Sequence, residues 1–70
     1  MEKSTYREKT VAIYKALQEK GYRPIDQLVG YILTEDPTYI TNHADARKIA
    51  HSLTREELLQ DIVFYYFQHE

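Results

Sequence analysis

His43, His51 and His69, the hydroxyls of Ser4 and Ser52, and the carboxylate pairs Glu35-Asp36 and Glu56-Glu57 carry what chemistry this 70-residue chain could do. A metal site needs several donors on one face. His43 and Asp45 stand two residues apart, a spacing that turns them to different sides of a helix. His51 follows His43 by eight residues and returns near the same side, but two imidazoles without a third ligand do not make a zinc centre. The histidines therefore read as solvated side chains. The chain has no cysteine, which removes thiol nucleophiles, disulfides and thiolate metal sites together. Ser4 and Ser52 lie at or near helix starts, where a hydroxyl commonly caps backbone amides. The paired carboxylates suit helix ends and the first-turn bias of the helix dipole. Nothing in this set points to catalysis, a metal or a cofactor.

Glycine raises the other chemical possibility, since Gly-Tyr occurs at Gly21-Tyr22 and again at Gly30-Tyr31. A phosphate-cradling glycine loop follows a strand and opens a helix, and that context is missing. Gly21 ends a helix, with Tyr22 folding back over its last turn. Gly30 lies inside a helix, where glycine costs about 1 kcal/mol relative to alanine and commonly admits a close neighbour.

The elements that hold these residues are helical. Thr5 with Glu8 forms a capping box, and Tyr6, Thr10, Ile13, Tyr14 and Leu17 share one face, giving a first helix over about 5–20. Pro24 opens a second over 24–34, in which Ile25, Leu28, Val29, Ile32 and Leu33 repeat at helical spacing. Pro37 ends it by disfavouring helical backbone at Asp36. Thr41 or Asn42 caps a third helix over 42–53, with Ala46, Ile49, Ala50 and Leu53 on one side. Thr54 and Glu57 form a second capping box and open a fourth helix over 54–68. The competing reading takes "DIVFYYF" as a strand on β-propensity, although no partner strand is visible.

The expectation is one all-α, compact four-helix domain spanning 1–70. A core this small rarely supplies more than about 3–5 kcal/mol, so a further staple is needed. Helix four is apolar nearly all round from Ile62 to Phe67, and a helix of that kind is covered on two sides. The second cover points to a homodimer held through the aromatic face of helix four with help from Tyr31 and Leu33, and the dimer or packing surface comprises Gly30, Tyr31, Leu33, Leu59, Ile62, Val63, Tyr66 and Phe67. Net charge is −2 with interleaved signs, without the basic stripe that phosphate neutralisation requires. A helix-turn-helix nucleic-acid binder remains the second reading, with Arg47 and Lys48 contacting the duplex. It is opposed by Asp45 near the front of that helix and by a seven-residue connection where three or four are usual. No apolar run reaches the ~18 residues of a membrane span. The opening "MEKSTYREKT" lacks the apolar stretch of a secretory signal, so a cytoplasmic protein without membrane insertion is expected.

The middle of the chain carries a more specific signal. "YKALQEKGYRPIDQLVGYILTEDPTYI", then the histidine and "DAR", then "REELLQDIVFYY", resembles the IreB family of small regulatory phosphoproteins from Gram-positive bacteria. The resemblance covers roughly residues 8–67. Its core is Gly21-Tyr22, Pro24-Ile25, Gln27, Val29-Gly30-Tyr31, Asp36-Pro37 and Tyr39-Ile40. It implies an all-helical homodimer without catalytic activity, a substrate of a transmembrane Ser/Thr kinase that senses cell-wall material. Through a downstream protein, members regulate envelope-stress responses and tolerance of cell-wall antibiotics. In the family, threonines on an N-terminal arm accept the phosphate. Here Ser4 and Thr5 are the nearest hydroxyls and so the candidate phosphoacceptors. Arg23 stands where the family usually has Asn, Thr41 replaces a usual Pro, and "AHSLTREE" departs from a more basic segment.

Overall fold

The computed structural model describes residues 6–68. Four α-helices and two short 3-10 turns follow one another, with no strand among the described residues. The first helix, α1 (Arg7–Glu19), buries Thr10, Ile13, Ala16 and Leu17 on one side. It ends in a Schellman motif. Gly21 adopts φ +83°, its N–H donates to Gln18 O at 3.0 Å, and the Tyr22 N–H donates to Leu17 O at 3.0 Å. The Tyr22 ring is about half exposed. The expected Thr5–Glu8 box lies partly outside the described residues, and the helix begins after Tyr6.

Pro24 is the first residue of α2 (Pro24–Thr34), which stops where Glu35 turns to φ 61° and its N–H donates to Tyr31 O at 2.7 Å. Asp36 caps the 3-10 turn Pro37–Tyr39 by accepting from the Thr38 N–H and hydroxyl. This turn lays the Tyr39 ring across Gly30. The third expected helix is shorter than its periodicity suggests. A 3-10 turn, His43–Asp45, occupies its start, and α3 runs only Ala46–His51. The cause is backbone conformation: Ala44 and Asp45 adopt φ of 53° and 60°, which no α-helix accommodates. Fully buried Ala46 and Ala50 let α3 approach α1, its most extensive helix contact.

The last helix, α4 (Arg55–Gln68), takes in the whole of "DIVFYYF", so the strand alternative is corrected. At its start Thr54 Oγ1 accepts from the Glu57 N–H at 3.0 Å and Glu57 Oε1 accepts from the Thr54 N–H at 2.9 Å. The core gathers Ile13, Ala16, Leu17, Leu28, Tyr31, Ile40, Ala46, Ala50, Leu53 and Leu58. No helix among the described residues is long and apolar enough to cross a membrane.

Candidate functional site

Two helices depart from the single apolar face that their spacing suggests. On α2 the core takes Leu28 and Tyr31, while Ile25, Val29 and Leu33 remain exposed, Leu33 at 73%. On α4 it takes Leu58 and Asp61, and residues 63–68 are exposed throughout. Some of the apolar side chains left outside border a groove of about 740 Å³ between α1, α2 and α4. Val11 and Tyr14 supply one wall, Ile25 and Val29 the second, Leu59 and Tyr66 the third. Arg7 and Lys15 stand on the α1 side.

The expected surface residues divide accordingly. Leu59, Ile62 and Tyr66 line the groove, whereas Leu33, Val63 and Phe67 are exposed outside its lining. Tyr66 and Phe67 meet edge to face, with ring centroids 5.0 Å apart. Tyr31 is a correction: it is only 5% exposed and belongs to the core, since helical geometry turns it in with Leu28. Burial, reinforced by the nearby Glu35 carboxylate, pushes its phenol pKa above the ordinary value. Gly30 faces the Tyr39 ring: a Cβ there would stand 2.7 Å from Cδ1 and 2.8 Å from Cζ. The Tyr39 carbonyl also accepts from Gln27 Nε2 at 2.9 Å, which ties the turn to α2.

The groove has one electrostatic feature that the spacing of apolar residues does not reveal. Arg7 Nη2 lies 3.3 Å from Asp61 Oδ2, whose side chain has no exposed surface. The same guanidinium stacks over the Tyr65 ring, 4.0 Å from its centroid. Among the described residues, Arg7 Nε and Nη1 and both Asp61 oxygens are buried without a hydrogen-bond partner. The contact is therefore a charge pair in poor hydrogen-bonding geometry. Its one trace in the sequence is the carboxylate three residues beyond Leu58, on the inward side of α4.

Other candidates are held in capping and bridging contacts. His43 Nε2 sits 2.7 Å from Glu19 Oε1 at the surface, and no three His, Cys, Asp or Glu side chains gather among the described residues. His69, Ser4 and Thr5 lie outside the described residues. Ser52 Oγ donates to Ile49 O at 2.6 Å. Glu35 pairs with Arg55 at 3.5 Å. Hydrogen bonds, first from the Thr38 N–H, hold the Asp36 carboxyl below its ordinary pKa, and the Thr54 N–H does the same for Glu57. Arg47, expected to contact nucleic acid in the second reading, donates through Nε to Ile40 O at 3.0 Å. Its helix has only six residues.

Comparison with known proteins gives concordant matches. A family model described as IreB regulatory phosphoprotein matches residues 1–68. A UPF0297 protein of Acetivibrio thermocellus is 58% identical over 62 residues, 89% of this chain and 69% of that protein. A UPF0297 protein of Ruminiclostridium cellulolyticum is 53% identical over 58 residues, 83% of this chain and 66% of that protein. The matched stretches thus span about two thirds of each relative's length.

Proposed function

The chain belongs to the IreB family of regulatory proteins, and we propose that it acts without catalysis, as a cytoplasmic homodimer whose N-terminal segment is phosphorylated. The observation that carries the dimer is the groove between α1, α2 and α4 together with the exposed rings on α4 beside it. A two-fold interface uses the same patch on both copies, and a patch that offers both a concave and a projecting apolar part can complement itself. This face offers both. Ile25, Val29, Leu33, Leu59, Tyr66 and Phe67 are also large apolar side chains that α2 and α4 leave exposed, the kind of surface that marks an interaction site where it is contiguous.

The kinase connection rests on the family description as a phosphoprotein and on Ser4 and Thr5, the hydroxyls that precede α1. A phosphate there adds about two negative charges and three strong acceptors just before a helix N-terminus, a position that favours anions. In this reading the kinase is a membrane-anchored Ser/Thr kinase that responds to the cell wall. The regulated output, through a downstream protein, is envelope stress and tolerance of cell-wall antibiotics.

Intact-mass measurement of the protein from its native cells, with and without a cell-wall antibiotic, tests the modification. One added phosphate mapping to Ser4 or Thr5 and changing with the drug supports it. An unmodified mass in both conditions sinks it and leaves a constitutive binding module.

A further inference from the structure

We propose that the Arg7–Asp61 pair is a rotational lock on α4: it turns one side of that helix toward α1 and so keeps the more apolar side outward. Two stripes compete for the core. Leu58, Asp61, Ile62 and Tyr65 recur at i, i+3, i+4 and i+7, and Leu59, Ile62, Val63 and Tyr66 repeat that spacing one residue later. An offset of one residue is a turn of about 100° around the helix axis. As sets, the stripes share Ile62 and match leucine with leucine and tyrosine with tyrosine. They differ in one member, Asp61 against Val63. Burial of apolar surface therefore favours the second stripe, yet the protomer buries the first. Leu58 and Asp61 are each 1% exposed, whereas Leu59, Val63 and Tyr66 are 45%, 46% and 62% exposed.

What hydrophobicity does not supply comes from α1. Arg7 Nη2 lies 3.3 Å from Asp61 Oδ2, and the same guanidinium stacks 4.0 Å from the centroid of the Tyr65 ring. One cation thus holds two members of the first stripe, about one turn apart. Among the described residues, Nε and Nη1 of Arg7 and both Asp61 oxygens lack hydrogen-bond partners. A buried pair made in this way adds little net stability, and its effect lies in the arrangement it selects. Rolling α4 by one residue would set an apolar side chain against Arg7, whose side chain keeps only 27% of its surface in solvent. A largely buried cation would then face no counter-charge, which a low-dielectric interior tolerates poorly. The second stripe is excluded from α1 and left outward, where Leu59 and Tyr66 border the groove. The inference deepens the pairing reading above, on which it rests for the use of that outward stripe; the rotation itself is read on the unpaired protomer.

The test removes both charges together, so that neither is stranded: Arg7→Leu with Asp61→Asn. The chain has no cysteine, so Leu58→Cys and Leu59→Cys, introduced singly into the parent and into the uncharged pair, report the two stripes by their rates of thiol alkylation. Labelling is run at a dilution where light scattering reads the 8.4 kDa protomer. In the parent, Leu59→Cys should react at least about tenfold faster than Leu58→Cys, because a buried site reacts only when the structure opens. In the uncharged pair Leu58→Cys should speed up and Leu59→Cys slow down, and their ratio should fall by about tenfold. An unchanged ratio overturns the proposal. So does a rise in both rates, which is loosening rather than rotation. Arg7→Lys keeps the charge and should keep the parental ratio; a ratio lost there as well would assign the choice of side to the shape of Arg7 and overturn the lock. Should Leu58→Cys fail to fold, NOE contacts from the Tyr65 ring to residue 7 decide in the cysteine-free chains. Contacts present in the parent and lost in the uncharged pair support the rotation, and contacts kept in both overturn it. Failure of the pairing reading shows separately, as a parent chain of 8.4 kDa at every concentration.

Discussion

Gly30 and Asp61 mark the two limits of what single residues disclose. A glycine inside an otherwise regular helix announces a close approach, and the Tyr39 ring is the neighbour that makes it. Gly30→Val should destabilise the fold by about 1–3 kcal/mol through overpacking against that ring, read by urea denaturation. In a Tyr39→Ala background the obstacle is gone. There Gly30→Ala should stabilise by about 0.5–1 kcal/mol, because alanine suits a helix interior better than glycine. An unchanged sign in that background would mean that the ring does not set the limit. Asp61 was not legible, because patterning assigns charges to solvent, and only its spacing from Leu58 hints otherwise. Arg7→Leu strands a fully buried carboxylate and should cost about 3–5 kcal/mol. Arg7→Leu with Asp61→Leu should recover most of that loss, which a denaturation cycle over the four chains would measure.

Elements were legible where side-chain chemistry marks their ends. Pro24, Gly21 and the Thr54–Glu57 pair stand at helix ends, and all three work through backbone amides or their absence. The start of α3 carries no such mark, because Ala44 and Asp45 take left-handed conformations without a glycine to advertise them. On α2 and α4, spacing found apolar residues but could not say which edge of a wide face the protomer itself covers. Thr54→Ala should lower stability by about 1 kcal/mol by removing a cap, measured by chemical denaturation. The two capping carboxylates also make an acid prediction. Their folded pKa values lie below the ordinary 4.5 of Glu57 and 3.8 of Asp36, so their contributions are complete above those values. They are lost as pH falls through the lowered folded values. Tm should therefore drop in acid below about pH 4.5, and Glu57→Gln should remove part of that drop.

At the scale of the whole molecule, the exposed apolar side chains of α2 and α4 are what the proposed pairing rests on. Tyr66 is 62% exposed and makes no contribution to the core cluster, so Tyr66→Asp should leave the protomer folded and abolish pairing. Light scattering should then report 8.4 kDa for the variant and about twice that for the parent chain. A variant that still pairs with undiminished affinity would move the interface elsewhere. Residues 63–68 carry a further consequence, since the protomer leaves every one of them exposed at the end of α4. Helical segments that lack tertiary support and fall short of about 12–15 residues are marginal in water. In the proposed dimer pairing would cover these turns, and on dilution only the Arg7–Tyr65 stack would be left to hold them. Far-ultraviolet ellipticity at 222 nm would then fall with concentration, and amide exchange and protease nicking at this end would rise. In the proposed dimer the end of α4 would thus report concentration: paired copies would shield these turns from nicking, and dilution would open them.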